Sequence, residues 1–371
     1  MPIFMDVHLV PGVKAKEVAQ AHELDLLNQV DHGCKCMTYW IDEQRESIFC
    51  LIEGPSKQAV EDLHRKAHGL LPSKIIEVNS SLVESFLGRI FDPENAEITA
   101  DGLKVFSDPS YRILLATRVT DPVLLEQKHG KLQVNELLSK QNGIIRQKAK
   151  EHGGREAEHA GVGFIISFSS ATKAAECAIS VLREIPQSDA GTTGLKIGIN
   201  SGEPIEKSSK FFGDTIRYAL NLCQLVNNLQ VAISSSVKEL VSREFYQENR
   251  NRFFTFNPQD EDFLKCLFEQ LEKNWQESEF DVDDYCREMT MSRSQLYRKT
   301  IALTGYSPNI LLREFRLEAA KEMMKKQRQT ISQVTFNSGF TSPSYFTKCF
   351  RKKYGLLPMT YIDLLHKSTE S

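Results

Sequence analysis

The chain has 371 residues, 41% hydrophobic and 26% charged, a balance that excludes disordered and fibrous classes and predicts two or three globular domains. Its net charge of −3 averages two unlike parts: residues 281–371 carry 15 Lys+Arg against 9 Asp+Glu (+6), and the preceding 280 carry 31 against 40 (−9). A basic tail on an acidic body is the asymmetry of a DNA-reading domain joined to something else.

The first residues, Met1-Pro2-Ile3-Phe4-Met5-Asp6-Val7-His8, have no basic region followed by an apolar one, so no secretory signal is expected. No apolar run approaches the ~18 residues that span a bilayer, and no membrane partner is expected. The eight cysteines are scattered, with Cys34-Lys35-Cys36 the one close pair. They read as free thiols of a reducing cytoplasm, the expected location.

In chain order, Ile3 to Leu9 predicts a strand. Lys14 to Val30 predicts a helix with Val18, Ala21, His22 and Leu26 on one side. Met37 to Ile41 and Ser47 to Ile52 predict a hairpin around residues 42–46. Ser56 to His68 predicts a helix N-capped by Ser56 and stopped at Gly69, and Ile75 to Val78 a last strand. The order βαββαβ is that of a ferredoxin-like split βαβ domain, placed at residues 1–88. His64 and His68, at i and i+4, project from one helix face, a spacing at which two imidazoles share a metal; the alternative is that they cap or pack the helix end. His8, His22 and His32 lie in the same segment.

A linker from Asp92-Pro93 to Asp108-Pro109 follows. Tyr111 to Val119 predicts a strand, Val123 to Ala149 a mostly helical stretch, and Gly163 to Phe168 a strand. Ala171 to Glu184 reads as helix, Leu195 to Asn200 as strand, Gly213 to Val226 as helix and Val231 to Ser234 as strand. This is an α/β domain over residues 110–260.

From Phe263 onward everything reads as helical, and residues 265–371 form an all-α domain with two helix-turn-helix units; the whole is multidomain α+β. Ser292-Arg293-Ser294-Gln295 and Thr330-Ile331-Ser332-Gln333 are capping boxes. The helix opened by Ser292 runs to about Thr304 and stops at Gly305. Ser307-Pro308 caps a long helix, with Leu311, Phe315, Ala319 and Met323 as its buried stripe. From Pro308 to Gln327 it would span ~30 Å, close to the ~34 Å of one DNA turn. Gly339 permits a sharp turn, Ser342-Pro343 opens the last recognition-type helix and Gly355 ends it. On that helix Phe346, Phe350 and Tyr354 should face the core, and Ser344, Lys348, Arg351 and Lys352 the outside.

These motifs, from Asp284-Tyr285-Cys286-Arg287 through Arg316-Leu317-Glu318-Ala319-Ala320 to Phe350-Arg351-Lys352-Lys353-Tyr354-Gly355 and Pro358, resemble the AraC-type DNA-binding domain over about residues 268–365. The resemblance implies base-facing Ser294, Tyr297 and Arg298 in the first unit, and Ser344, Tyr345 and Lys348 in the second. Thr300 departs from it, standing where the family usually places a larger apolar residue. Double-stranded DNA is the implied partner, with RNA polymerase a candidate second one.

The N-terminal stretches Ala21-His22-Glu23-Leu24-Asp25-Leu26, Tyr39-Trp40-Ile41-Asp42-Glu43, Phe49-Cys50-Leu51-Ile52-Glu53-Gly54-Pro55 and His64-Arg65-Lys66-Ala67-His68-Gly69-Leu70 resemble small ferredoxin-like nickel-binding proteins. That resemblance implies nickel or another transition metal on His22, His64 and His68, and a homodimer formed through the sheet. In the middle, Gly161 to Phe168, Ala174 to Ala178, Lys196 to Pro204 and Phe212-Gly213-Asp214-Thr215-Ile216 resemble class III nucleotide cyclases. The family's two metal-holding aspartates fall on Thr117 and Val162, and its Asn and Arg, four apart, fall on Arg217 and Asn221, so a non-catalytic domain without a catalytic cofactor is expected. The leading expectation is a transcription regulator. The alternatives are a metal-binding protein or metal-dependent enzyme with a helical tail and, behind these, an active cyclase.

Overall fold

The computed structural model describes residues 1–100, 102–159, 163–226, 230–326 and 329–369. It divides into two compact units: residues 1–118, 142–187 and 196–254 form the first, and residues 119–141, 188–195 and 255–371 the second.

The first unit begins with β1 (Ile3–Leu9), α1 (Ala15–Asn28), β2 (Lys35–Asp42), β3 (Ser47–Glu53), α2 (Lys57–Ala67) and β4 (Lys74–Val78). The strands make an antiparallel sheet in the order β2-β3-β1-β4, the ferredoxin-like arrangement read from the sequence. Ser56 caps α2 by accepting the Ala59 N–H, and the chain turns away at Gly69, whose φ is +78°. Helix α1 stops at Asn28, two residues before the expected Val30, and a 3₁₀ turn carries the chain to Gly33.

Strand alternation gives the sheet two different faces. Phe4, Asp6 and His8 of β1 lie under the helices, where Val18, Ala19, Val60 and Leu63 pack on Tyr39, Ile41, Ile48 and Ile52. Met5, Val7, Trp40, Phe49 and Leu51 lie on the other face. They share one core with α3 (Ser80–Leu87), with Leu114, Ala116 and Ile165 of the next sheet, and with Phe212. That second face is buried within the chain. The homodimer expected through it is therefore blocked there by residues of the same molecule.

The expected linker holds a two-stranded ladder, β5 (Glu97–Ile98) and β6 (Lys104–Val105), and buries Phe106 against the Tyr39 ring at 4.2 Å. The following elements are β7 (Arg112–Arg118), α4 (Pro122–His129), α5 (Lys131–Glu151), β8 (Arg155–His159), β9 (Phe164–Phe168), α6 (Ala171–Glu184) and α7 (Gln187–Thr193). After these come β10 (Lys196–Gly202), α8 (Gly213–Gln224), β11 (Val231–Ile233), α9 (Ser235–Leu240), α10 (Arg243–Glu248) and β12 (Phe253–Thr255). The second sheet has the order β12-β11-β10-β7-β9-β8. The expected helical stretch 123–149 is broken at Gly130, φ +86°.

The second unit contains α11 (Pro258–Asn274), α12 (Val282–Glu288), α13 (Arg293–Thr304), α14 (Pro308–Lys325), α15 (Ile331–Asn337), α16 (Pro343–Tyr354) and α17 (Pro358–Thr369). Both expected capping boxes are formed, at Ser292 with Gln295 and at Thr330 with Gln333. Ser307 takes the cap position of α14, but its hydroxyl makes no cap hydrogen bond; Pro308 opens the helix without one. The expected stripe on α14 is also rotated. Leu311 is buried, but Leu312, Leu317, Ala320 and Met324 are buried in place of Phe315, Ala319 and Met323. Successive steps of four run ahead of the 3.6-residue repeat, so a ladder of i+4 positions drifts off the buried face. The 18 residues of α14 span about 27 Å, shorter than expected; Gln327 lies outside the described residues.

Helix α4 belongs to the core of the second helix-turn-helix unit, where Val123 and Leu124 pack with Phe346, Phe350 and Tyr361. The buried Asp121 carboxylate caps α4 and accepts from the Tyr361 hydroxyl (3.0 Å) and from Lys325 (2.8 Å). No helix among the described residues is long and apolar enough to cross a membrane. All eight cysteines are thiols outside any disulfide, five buried and three half-buried.

Candidate functional site

Alternation on β1 carries Asp6 and His8 beneath the helices, cross-strand register sets Cys50 opposite Asp6, and α2 lowers His64 onto them. One ligand-type atom each from Asp6, His8, Cys50 and His64 lies within 4.8 Å of the others, and the same holds for Asp25, His64 and His68. His64 joins the two groups. Its Nε2 is 2.9 Å from Asp6 Oδ2, and its Nδ1 is 3.2 Å from Asp25 Oδ1 and 3.0 Å from His68 Nε2.

The electrostatics follow from burial and pairing. Burial alone would lower the His64 pKa, but Asp6 and Asp25 outweigh it and push it up to about 10. Burial would raise the Asp6 carboxyl; His64 and His8 hold it well below the usual carboxylate range. Burial, then the Asp6 and Asp25 carboxylates, push the Cys50 thiol well up.

His68 Nδ1 accepts the Leu70 N–H, and its Nε2 lies 3.0 Å from His64 Nδ1. His8 Nε2 lies 3.2 Å from Asp6 Oδ1, and among the described residues His8 Nδ1 is buried without a hydrogen-bond partner. The imidazole, carboxylate and thiol donors, held within 4.8 Å of one another in each group, fit a transition-metal ion in their chemistry.

The structure brings His64 and His68 together and leaves His22 at the edge. His22 lines the same small cavity as His8, Asp25, Cys50 and His68, but its Nε2 lies 3.6 Å from Asp92 Oδ2 and its ring rests edge-on against Tyr39. Sequence reasoning singled out neither Asp6, Asp25 nor Cys50. The available signal was a pair of polar residues, Asp6 and His8, in line with Phe4 at alternate positions of a core strand.

The second candidate surface is carried by α13 and α16. Ser294, Arg298, Ser344, Tyr345 and Lys348 are exposed and Tyr297 is half-buried, its hydroxyl accepting from Asn309. Arg298, Lys348, Arg351 and Lys352 are exposed and have no ion-pair partner among the described residues. By contrast Lys353 pairs with Glu314 and Glu318, and Arg293 with Asp283. Phe346 and Phe350 are fully buried as expected, and Tyr354 packs beside them with its hydroxyl on Glu318. Each turn is pinned by a left-handed residue, Thr290 (φ +51°) before α13 and Gly339 (φ +77°) before α16.

In the middle region Thr117 is the last residue but one of β7, and its hydroxyl accepts the Phe164 N–H at 2.9 Å. A Cβ on Gly163 would stand 1.9 Å from the Thr117 carbonyl oxygen, so this glycine serves close backbone packing. Gly161 and Val162 lie outside the described residues. Arg217 pairs with Asp214, and Asn221 is buried. Elsewhere His152 joins Ser180 (3.2 Å) and Glu176 (3.4 Å) in hydroxyl–imidazole–carboxylate order. Ser180 sits inside α6, where neighbouring N–H groups are committed to the helix and cannot hold an oxyanion. We read that trio as a structural tie.

Residues 285–363 match the family model described as a helix-turn-helix domain, and residues 4–78 match that of nickel responsive protein SCO4226-like. Histidine kinase P4 of Formosa agariphila is 37% identical over 107 residues, 29% of this chain and 8% of the kinase. The crystal structure of SCO4226 from Streptomyces coelicolor is 38% identical, covering 20% of this chain and 94% of that one, with a TM-score of 0.20. The guanylyl cyclase Cya2 is 22% identical, covering 36% of this chain and 78% of that one, with a TM-score of 0.31. The chain spans between 8% and 59% of the length of the first curated relatives it matches.

Proposed function

We propose, for a chain that joins a SCO4226-like domain and a cyclase-like region to an AraC-type helix-turn-helix domain, that it is a sequence-specific transcription regulator. Its modules are residues 1–88, 110–260 and 265–371, the first two sensing a signal or setting oligomeric state. The observation that carries this reading is the pair of exposed helix faces on α13 and α16, with Arg298 and Lys348 uncommitted to any acid among the described residues. A basic face on a helix that opens after a tight turn suits the major groove, with lysine and arginine on phosphates and Ser294, Tyr297, Arg298, Ser344, Tyr345 and Lys348 toward base edges.

The N-terminal domain takes a transition metal on His64, His68 and Asp25, with His8, Asp6 and Cys50 alongside. Imidazole and carboxylate donors in this set would suit nickel, copper or zinc. The cyclase-like region has no carboxylate at position 117 or 162 to hold catalytic metal, and we assign it a non-catalytic role. A homodimer and contact with RNA polymerase complete the proposal; the dimer uses a surface other than the buried sheet face.

The test is a gel shift of the full chain against genomic fragments, with and without NiCl₂. Selection of particular fragments over random duplex supports regulation, and equal binding of both sinks it. The second reading, a metal-dependent enzyme or store, draws on the same donor cluster. Metal uptake without any DNA selectivity would favour it. Cyclic nucleotide formed from ATP or GTP would overturn the non-catalytic assignment.

A further inference from the structure

The 203–212 loop, between β10 and α8, is tied to the N-terminal sheet at two points and to α3 at a third. Lys74 of β4 donates to three consecutive carbonyl oxygens, those of Glu206, Lys207 and Ser208, at 2.9, 2.9 and 2.8 Å. An ammonium has three protons, so this one is fully used. The Ser47 hydroxyl, at the start of β3, donates to Glu203 at 2.7 Å. Phe212 stacks on Phe86 of α3, ring centres 5.0 Å apart.

Phe212 is the unusual element. It is fully buried at φ +51°, ψ 20°, the left-handed region that bulky side chains rarely enter. Its N–H closes the loop onto the Pro204 carbonyl at 2.8 Å, and it takes the cap position of α8 without a side-chain cap. The strain is therefore held by Phe86 and the loop anchors, and a change in either gives Phe212 a more relaxed alternative.

Strand register connects the anchors to the donor cluster. Lys74 is paired with Val7 and Ser47 with Leu9, the neighbours of Asp6 and His8 on β1. A movement of that end of β1 is thus felt on both flanking strands, next to the two polar anchors of the loop.

We propose that the 203–212 loop is a relay that passes the state of the His/Asp cluster to α8, with Phe212 as its strained pivot. The inference rests on the metal reading above, and its test separates the two. Hydrogen exchange of the full chain is followed by mass spectrometry with and without NiCl₂, beside calorimetric titration of the same samples. Nickel uptake with amides 203–213 exchanging at least about threefold more slowly supports the relay. Lys74→Met should keep the uptake and lose the change. Uptake with unaltered exchange in this loop overturns the relay and leaves the metal reading standing.

If no nickel is taken up, the metal reading fails and the ion-free protein decides the relay. His64→Gln breaks the contacts to Asp6 and Asp25 and should speed exchange of the same loop at least about threefold, an effect absent when Lys74→Met is also present. Unchanged loop exchange in His64→Gln, with its far-UV spectrum intact, overturns the relay. Should that variant not fold, His68→Gln, nearer the cluster rim, serves in its place with the same two outcomes.

Discussion

His64 Nδ1 and His68 Nε2 face each other at 3.0 Å across one turn of α2, with Asp25 Oδ1 within 3.3 Å of both. Removing one member of such a triangle takes away a ligand, whereas removing a residue at the edge changes only the cavity wall. His64→Gln should weaken NiCl₂ binding at least about tenfold, and His22→Gln less than about threefold, by isothermal titration. Equal losses would move His22 into the coordinating set and discard the geometric assignment.

On α16 the exposed Lys348 has no acid partner among the described residues, while Lys353 on the same helix is held by Glu314 and Glu318. Only the first is free to displace counterions from DNA. Lys348→Ala should weaken binding and reduce the slope of log K against log salt by about one, and Arg298→Ala should do the same from α13. Unchanged slopes in gel shifts at graded salt would mean that these faces do not touch phosphate.

What was legible in the sequence was whatever is decided locally. Ser292 with Gln295, Thr330 with Gln333 and Ser56 before α2 each satisfy nearby N–H groups, so the short motif suffices. His64 and His68 were visible for the same reason, one helical turn apart. Asp25 was not, because it arrives from α1, 39 residues earlier than His64. Cys50 joins Asp6 only through the β1–β3 register. Strand β8, Arg-Glu-Ala-Glu-His, lies at the edge of its sheet and carries the charges that edges carry, which hid it from a search for apolar alternation.

Glu318 of α14 contacts Lys321 (2.9 Å), Lys353 (3.1 Å) and the Tyr354 hydroxyl (2.8 Å). Burial alone would raise its carboxyl; the two ammonium groups outweigh it and hold the group below the usual carboxylate range. A depressed folded-state pKa means that the unfolded chain takes the proton first as pH falls. The stabilisation is full above about pH 4.5 and is lost as pH drops toward the folded value. With the side chain 36% exposed, solvent screening limits it to about 1 kcal/mol. Glu318→Gln should lose that amount at pH 7 in urea unfolding, the gap closing toward pH 3. A pH-independent gap would show that packing, not charge, matters there.

Thr290 and Gly339 occupy matching turns of the two helix-turn-helix units, and both have positive φ. Glycine enters this region freely, whereas a β-branched residue is strained there. Thr290→Gly should therefore stabilise the unit, by about 1 kcal/mol after the entropy that glycine adds to the unfolded chain. Gly339→Ala should do the reverse and more, since its Cβ would stand 2.3 Å from the Trp275 carbonyl oxygen and 2.7 Å from Arg316 Nε. Arg316 is itself fixed to Trp275 and Glu277 carbonyls at 2.8 and 2.6 Å, so the clash cannot be relieved by a side chain swinging aside. A loss above about 2 kcal/mol is expected. Thermal melts should move in opposite directions for the two variants; a fall in Tm for Thr290→Gly would mean that the threonine side chain contributes more than its backbone strain removes.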